Sequence, residues 1–122
     1  ILGREAIISA RLGRRRRLRA VVVAGESMAP ALRPGDCLLV WGGARVRVGD
    51  VVLARRPSTA GLLLVKRVAT RVDGGWWVLS DNAEAGLDDS RAFGVLPDAH
   101  VVGRVLLRYY PWTIRCRSAG RG

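Results

Sequence analysis

LLLVKRVATRV, residues 62–72, runs into the turn DGG at 73–75 and then into WWVLS at 76–80. Two apolar, β-branched runs joined by a glycine-bearing turn are the pattern of antiparallel strands. The same texture continues outward in both directions. Upstream lie VVVAG (21–25), CLLVW (37–41) and VVLAR (51–55), and downstream lies HVVGRVLLRYY (100–110). RPGD (33–36), RVGD (47–50) and LPDA (96–99) punctuate these runs with turn chemistry. Short strands without helical segments between them predict an all-β barrel or sandwich and argue against a βαβ fold. The polar segment LDDSRAFG (87–94) reads as a surface or site loop.

A chain of 122 residues fits one domain, and 49% hydrophobic with 25% charged residues is a globular composition. Charge-free stretches such as Ala20–Gly25, Cys37–Ala44 and Pro57–Val65 fall short of the roughly 18 apolar residues a membrane span needs. The sequence opens on Ile1 rather than methionine, which leaves an upstream anchor open. Residues 1–19 read as a basic helix or arm, because Leu2, Ala6, Ile8 and Leu12 fall near helical spacing. RRRRLR at Arg14–Arg19 fits an anionic membrane surface or phosphates, and equally a solvated arm. Nucleic acid is not expected, since no base-reading helix, RNP-like aromatic pair or zinc finger accompanies the run. The expected organisation is an arm at 1–19, one β domain at 20–112 and a flexible tail at 113–122.

The net charge of +11 rests on 21 basic residues, of which one, Lys66, is a lysine. Arginine keeps its proton in proteins, whereas a desolvated lysine can lose it. Lys66 sits in LLLVKRV, so an inward-facing amine there is stripped of water and suited to act as a base. Neighbouring Arg67 points the other way on a strand and stays in solvent. Among the serines, Ser27 follows an apolar strand within GESMAP. At a strand end, backbone N–H groups lose their ladder partners and can face a substrate oxygen. Gly25 allows a substrate backbone to approach closely, and Met28 offers a flexible apolar surface. A Ser–Lys dyad would pair Ser27 with Lys66, and a Ser–His pair would use His100. From the residues alone, Ser27 as an ordinary turn and Lys66 as a salt-bridge lysine remain open beside these readings. Two cysteines and one histidine fall short of the about four ligands of a structural zinc site. With neither GxGxxG nor a Walker loop present, no metal or cofactor is expected. Cys37 reads as a small buried hydrophobe.

GESMAPALRPGDCLLV, VVLARRP, LLVKRV, SDN…DDSRAFG and VVGRV, in that order, resemble type I signal peptidases and their soluble relatives. The resemblance covers about Val21 to Tyr110. It implies an all-β, bent-strand signal peptidase/LexA-like fold, a Ser27 nucleophile and a neutral Lys66 general base. The oxyanion would be held by the backbone N–H of Ser27. The hydroxyl that some members carry two positions earlier is Gly25 here, which has no side-chain donor. Met28, Pro30, Leu32 and Leu64 are expected around the substrate, forming shallow pockets for small side chains, and Asp89, Ser90 and Arg91 as structural members of the site loop. Three positions depart from the family pattern. Ala31 follows Pro30 where threonine is usual, Ser80-Asp81-Asn82 replaces Gly-Asp-Asn, and Leu87 stands where a lysine-orienting hydroxyl is common. Ser90 is the nearby hydroxyl to consider instead.

Within the family, the wording WWVLSDN…DDSRAFG…VVGRVLLRYYPW most resembles the nickel-type superoxide dismutase maturation proteases. That subgroup implies a serine endopeptidase removing a short N-terminal propeptide from the dismutase precursor, either cytoplasmic or membrane-associated. Three alternatives stand beside it. One is a type I signal peptidase whose anchor precedes Ile1. Another is a LexA-type self-cleaving repressor, disfavoured because 20 residues before Val21 hold no DNA-binding domain. The third is a non-catalytic basic β-module binding anionic surfaces.

Overall fold

The computed structural model of the protein describes residues 8–11, 18–43, 45–59, 61–85 and 88–108. They form β1 (Ile8–Arg11), β2 (Leu18–Val22), β3 (Cys37–Trp41), β4 (Val51–Arg55), β5 (Leu63–Val72), β6 (Gly75–Leu79), β7 (Leu96–Pro97) and β8 (Val101–Arg108). One turn of helix, α1 (Ser90–Phe93), and a 3-10 turn at Asp98–His100 interrupt the strands. The chain is all-β, with the bent strands expected from the resemblance. A single antiparallel sheet runs in the order β1-β2-β3-β8-β4-β5-β6-β7. Among the described residues no helix is long and apolar enough to cross a membrane.

Alternation along the strands builds two apolar clusters on opposite faces of the sheet. Leu53 and Val65 join Val21, Met28, Leu38 and Val40 in one, while Val52, Ala54 and Val68 join Val78 and Leu96 in the other. Register shifts at Leu39/Val40, Leu53/Ala54 and Val68/Thr70 each insert a bulge. Bulges bend and twist a strand locally, which lets one long sheet curl around two cores. Lys66 lies opposite Val52 in the β4–β5 ladder. It therefore shares the face of the second cluster, while Arg67 points away.

The helical reading of the N-terminus does not hold where the residues are described. Ile8–Arg11 pairs with β2 from Ile8↔Val22 to Arg11↔Arg19. A few apolar residues at helical spacing are a weak local preference, and an adjacent strand edge with free backbone groups overrides it. Leu18 and Arg19, assigned to the arm, already belong to β2. Arg14–Arg17 and the expected tail, with Cys116, lie outside the described residues. Cys37 is fully buried.

β8 joins two halves of the sheet that do not otherwise pair, since it bonds to β3 on one side and β4 on the other. The junction is tight at Gly103, where an added Cβ would lie 2.7 Å from the Trp41 carbonyl oxygen and 2.8 Å from Val40 Cγ1. Backbone cannot withdraw as a flexible side chain can. Gly103→Ala is expected to lower stability by about 1–3 kcal/mol, as overpacking typically does. A denaturant midpoint equal to that of the unsubstituted protein would contradict this close approach.

Candidate active site

Ser27 sits in the turn that leaves β2. Gly25 adopts φ 140, a conformation that side-chain-bearing residues rarely take, and so redirects the chain. Ala29 N–H then donates to the Glu26 carbonyl at 3.1 Å, and Leu32 N–H donates to the Met28 carbonyl at 2.8 Å. Met28 and Leu32 drop into the first core beneath the turn. Ser27 itself is 5% exposed.

Lys66 approaches the same point from the middle of β5. It is 1% exposed and among the largest fully buried side chains. Its Nζ donates to Ser27 Oγ at 3.1 Å and to Ser80 Oγ at 3.0 Å. Three separate chain segments thus converge on one amine. A buried amine surrounded by hydroxyls retains hydrogen bonds that would be lost in a wholly apolar setting, where an unmet polar group is costly.

Ser80 is held in turn by the site loop. β7 covers only the first part of β6, pairing with Gly75 and Trp76. Beyond that point side chains take over the role of a neighbouring strand. Val78 N–H donates to Ser90 Oγ at 2.8 Å, and Ser80 N–H donates to Asp89 Oδ2 at 2.7 Å. Asp89 also caps α1 by accepting from Arg91 N–H at 3.0 Å, and its carboxylate is bridged by the Arg91 guanidinium. Asp89 and Ser90 are 0% and 1% exposed. Burial by itself pushes the Asp89 carboxyl up. The hydrogen bonds from Arg91 and from the Ser80 and Arg91 amides outweigh that and hold it below the ordinary carboxylate range.

The segment between β6 and that loop grips the serine turn. Asp81 N–H points to Met28 Sδ at 3.4 Å, and Asp81 itself forms a two-pronged pair with Arg67. Asn82 N–H donates to the Ser27 carbonyl at 2.7 Å, and Asn82 Nδ2 donates to the Glu26 carbonyl at 3.1 Å. Asp88 turns away from Asp89, towards Arg56, whose Nε reaches its carboxylate oxygens at 2.8 and 2.9 Å. The two adjacent acids therefore do not form a carboxylate pair.

Of the residues singled out in the sequence, Ser27, Lys66, Asp89, Ser90 and Arg91 gather around this point. Met28, Leu32 and Leu64 are buried and Pro30 is exposed. His100 lies elsewhere, with Nδ1 3.3 Å from the Arg55 carbonyl. Ser90 bonds the backbone of β6 and not the lysine. Sequence reading noted Ser80 and Asn82 only as family departures or members of a motif. The signal available was that a hydroxyl stood at 80 just where one was missing at 87. A separate cleft of about 420 Å³, lined by Arg45, Arg71, Trp76 and Asp98 among others, contains none of these residues.

A Peptidase S24-like family model matches residues 3–106. A mitochondrial inner membrane protease subunit 1 from Xenopus tropicalis is 30% identical over an alignment 115 positions long, gaps included, that covers 75% of this chain and 68% of that protein.

Asp89→Ala leaves the buried Ser80 N–H without its acceptor, and is expected to cost about 1–3 kcal/mol at neutral pH. Because the folded carboxyl is held low, its stabilisation is present above the unfolded value of about 3.9 and is lost as pH falls through the folded value. Denaturation curves of the unsubstituted protein and of Asp89→Asn should therefore converge in acid. A stability gap that stays constant down through that range would show that the charge contributes nothing.

Proposed function

Because this chain belongs to the Peptidase S24-like family, we propose that it is a serine endopeptidase in which Ser27 is the nucleophile and Lys66 the general base. The observation that carries this reading is the 3.1 Å approach of Lys66 Nζ to Ser27 Oγ inside a site closed to solvent. A neutral Lys66 amine takes the hydroxyl proton as Oγ attacks the scissile carbonyl. The Ser27 N–H stabilises the oxyanion that forms. The resulting ammonium gives its proton to the leaving amine, and the amine then activates the water that resolves the acyl-enzyme. Ser80 fixes the amine by occupying one of its hydrogen-bonding directions, which leaves the nitrogen lone pair for the serine proton.

The substrate of this reading is a protein precursor with a short N-terminal propeptide, namely that of nickel-type superoxide dismutase, and the site of action is the cytoplasm. The motif wording of the chain supports it. A second reading, a type I signal peptidase acting on exported preproteins, has its own support. The relative above is by name an inner membrane protease. Arg14–Arg19 would meet an anionic membrane surface in either case.

Mass spectrometry of a nickel superoxide dismutase precursor and of a secretory preprotein, each incubated with the enzyme, separates the two. Trimming of the dismutase precursor to a defined new N-terminus is the expected result. Cleavage of the preprotein alone would establish the second reading, and cleavage of neither would leave a basic binding module. Ser27→Ala, Lys66→Ala and Lys66→Arg are each expected to abolish cleavage, the last because arginine supplies charge without a base. Substantial turnover by any of them would overturn the dyad. Ser80→Ala should retain the fold and lose on the order of tenfold or more in kcat, a part of the 10²–10⁴ that a positioned base supplies.

A further inference from the structure

The Glu26–Ser27 peptide is trans, since the one cis bond among the described residues is Ala29–Pro30. In a planar trans peptide the carbonyl and the N–H point in opposite directions. Whatever fixes the Glu26 carbonyl therefore fixes the direction of the Ser27 N–H. Two donors hold that carbonyl. Ala29 N–H closes the turn at 3.1 Å, and Asn82 Nδ2 reaches it from the next segment at 3.1 Å. The following carbonyl, that of Ser27, accepts from Asn82 N–H at 2.7 Å. One residue thus clamps both peptide planes that flank the nucleophile. A carbonyl only accepts, so the side-chain atom facing Glu26 must be the amide nitrogen. Neither aspartate nor serine offers that donor in the same shape.

We propose that Asn82 is the positioning residue of the oxyanion site: by holding the Glu26 and Ser27 carbonyls, it aims the Ser27 N–H at the oxygen of the tetrahedral intermediate. This rests on the Ser27 nucleophile reading. The two donors of Asn82, its N–H and Nδ2, both go to backbone oxygens of the serine turn and not to Lys66. Its effect is therefore confined to the step in which negative charge develops. An oxyanion donor contributes most when its direction is set before the reaction, because no reorganisation is then needed.

The test uses the full chain with acetyl-trialanine p-nitrophenyl ester as acylating substrate and acetyl-trialanine aldehyde as a mimic of the tetrahedral adduct. Asn82→Ala should slow acylation about tenfold, a part of the 10²–10³ that a whole donor supplies. Aldehyde affinity should weaken by the same factor, while the dissociation constant of the ester, read from single-turnover kinetics, stays unchanged. Asn82→Asp keeps the size and the backbone N–H but sets a carboxylate oxygen against the Glu26 carbonyl, and should be slower than Asn82→Ala. If both variants acylate and bind aldehyde within about twofold of the unsubstituted protein, with only the melting temperature lowered, Asn82 is a loop fastener and the proposal fails. A rise in that dissociation constant without loss of acylation rate would likewise overturn it. Ser27→Ala serves as the separate control. Ester acylation that persists in that variant would refute the nucleophile reading itself, whatever the Asn82 variants do.

Discussion

A lysine amine with almost no exposure to water has to be given hydrogen-bond partners by the protein, and most of this fold's local detail answers to that demand. Lys66 cannot reach solvent from the middle of β5, so hydroxyls must come to it. Ser27 arrives from the turn after β2 and Ser80 from the end of β6. Each of these must then be fixed in place, because a hydroxyl that wanders leaves the amine unmet. The constraint passes outward from Nζ to Ser80, from Ser80 to the Asp89 carboxylate, and from there to Arg91 at the surface. A buried polar chain of this kind is stable only when every link is made.

The Asp89–Ser90 pair shows how a short loop stands in for a strand. β7 is only two residues long, yet the exposed edge of β6 continues past it. Side-chain oxygens of consecutive residues meet alternate N–H groups, Val78 in β6 and Ser80 just past it, as carbonyls of a longer β7 would. Backbone carbonyls would satisfy those amides equally well. A carboxylate does more, since it accepts at several points and pulls Arg91 over the loop. The bond it makes is charge-assisted and therefore stronger than an amide–carbonyl bond.

Much of this was legible in the residues. CLLVW and VVLAR coincide with β3 and β4, and the long run around Lys66 is β5 within a residue. Alternation along β5 correctly sends Lys66 inward and Arg67 outward. The solitary lysine in an arginine-rich chain and the turn at Ser27 both led to the site. Ile8–Arg11 was not legible as a strand, because its partner edge is a tertiary fact and the residues themselves carry only weak preferences. Ser80 and Asn82 were hidden for a related reason. Their partners are an amine fourteen residues back and carbonyls more than fifty residues back, and no local pattern announces such contacts. Met28 and Leu32, expected around the substrate, are buried in the first core, a place that apolar side chains in a turn above a sheet readily fill.

The order of strands in the sheet has a consequence for how the protein comes into being. Ser27 belongs to the half formed by β1–β3 and Lys66 to the half formed by β4–β7, and the strand that pairs with both halves, β8, follows them in the chain. A ribosome therefore delivers Ser27 early, Lys66 later and the joining strand last of the three. Until β8 has emerged, the edges of β3 and β4 have no ladder to share. Closing that gap requires contacts between distant parts of the chain, which form slowly. The single sheet is thus complete by topology only when its last strand has been made, and until then its halves meet through the turn at Ser27 and the segment at Asp81–Asn82.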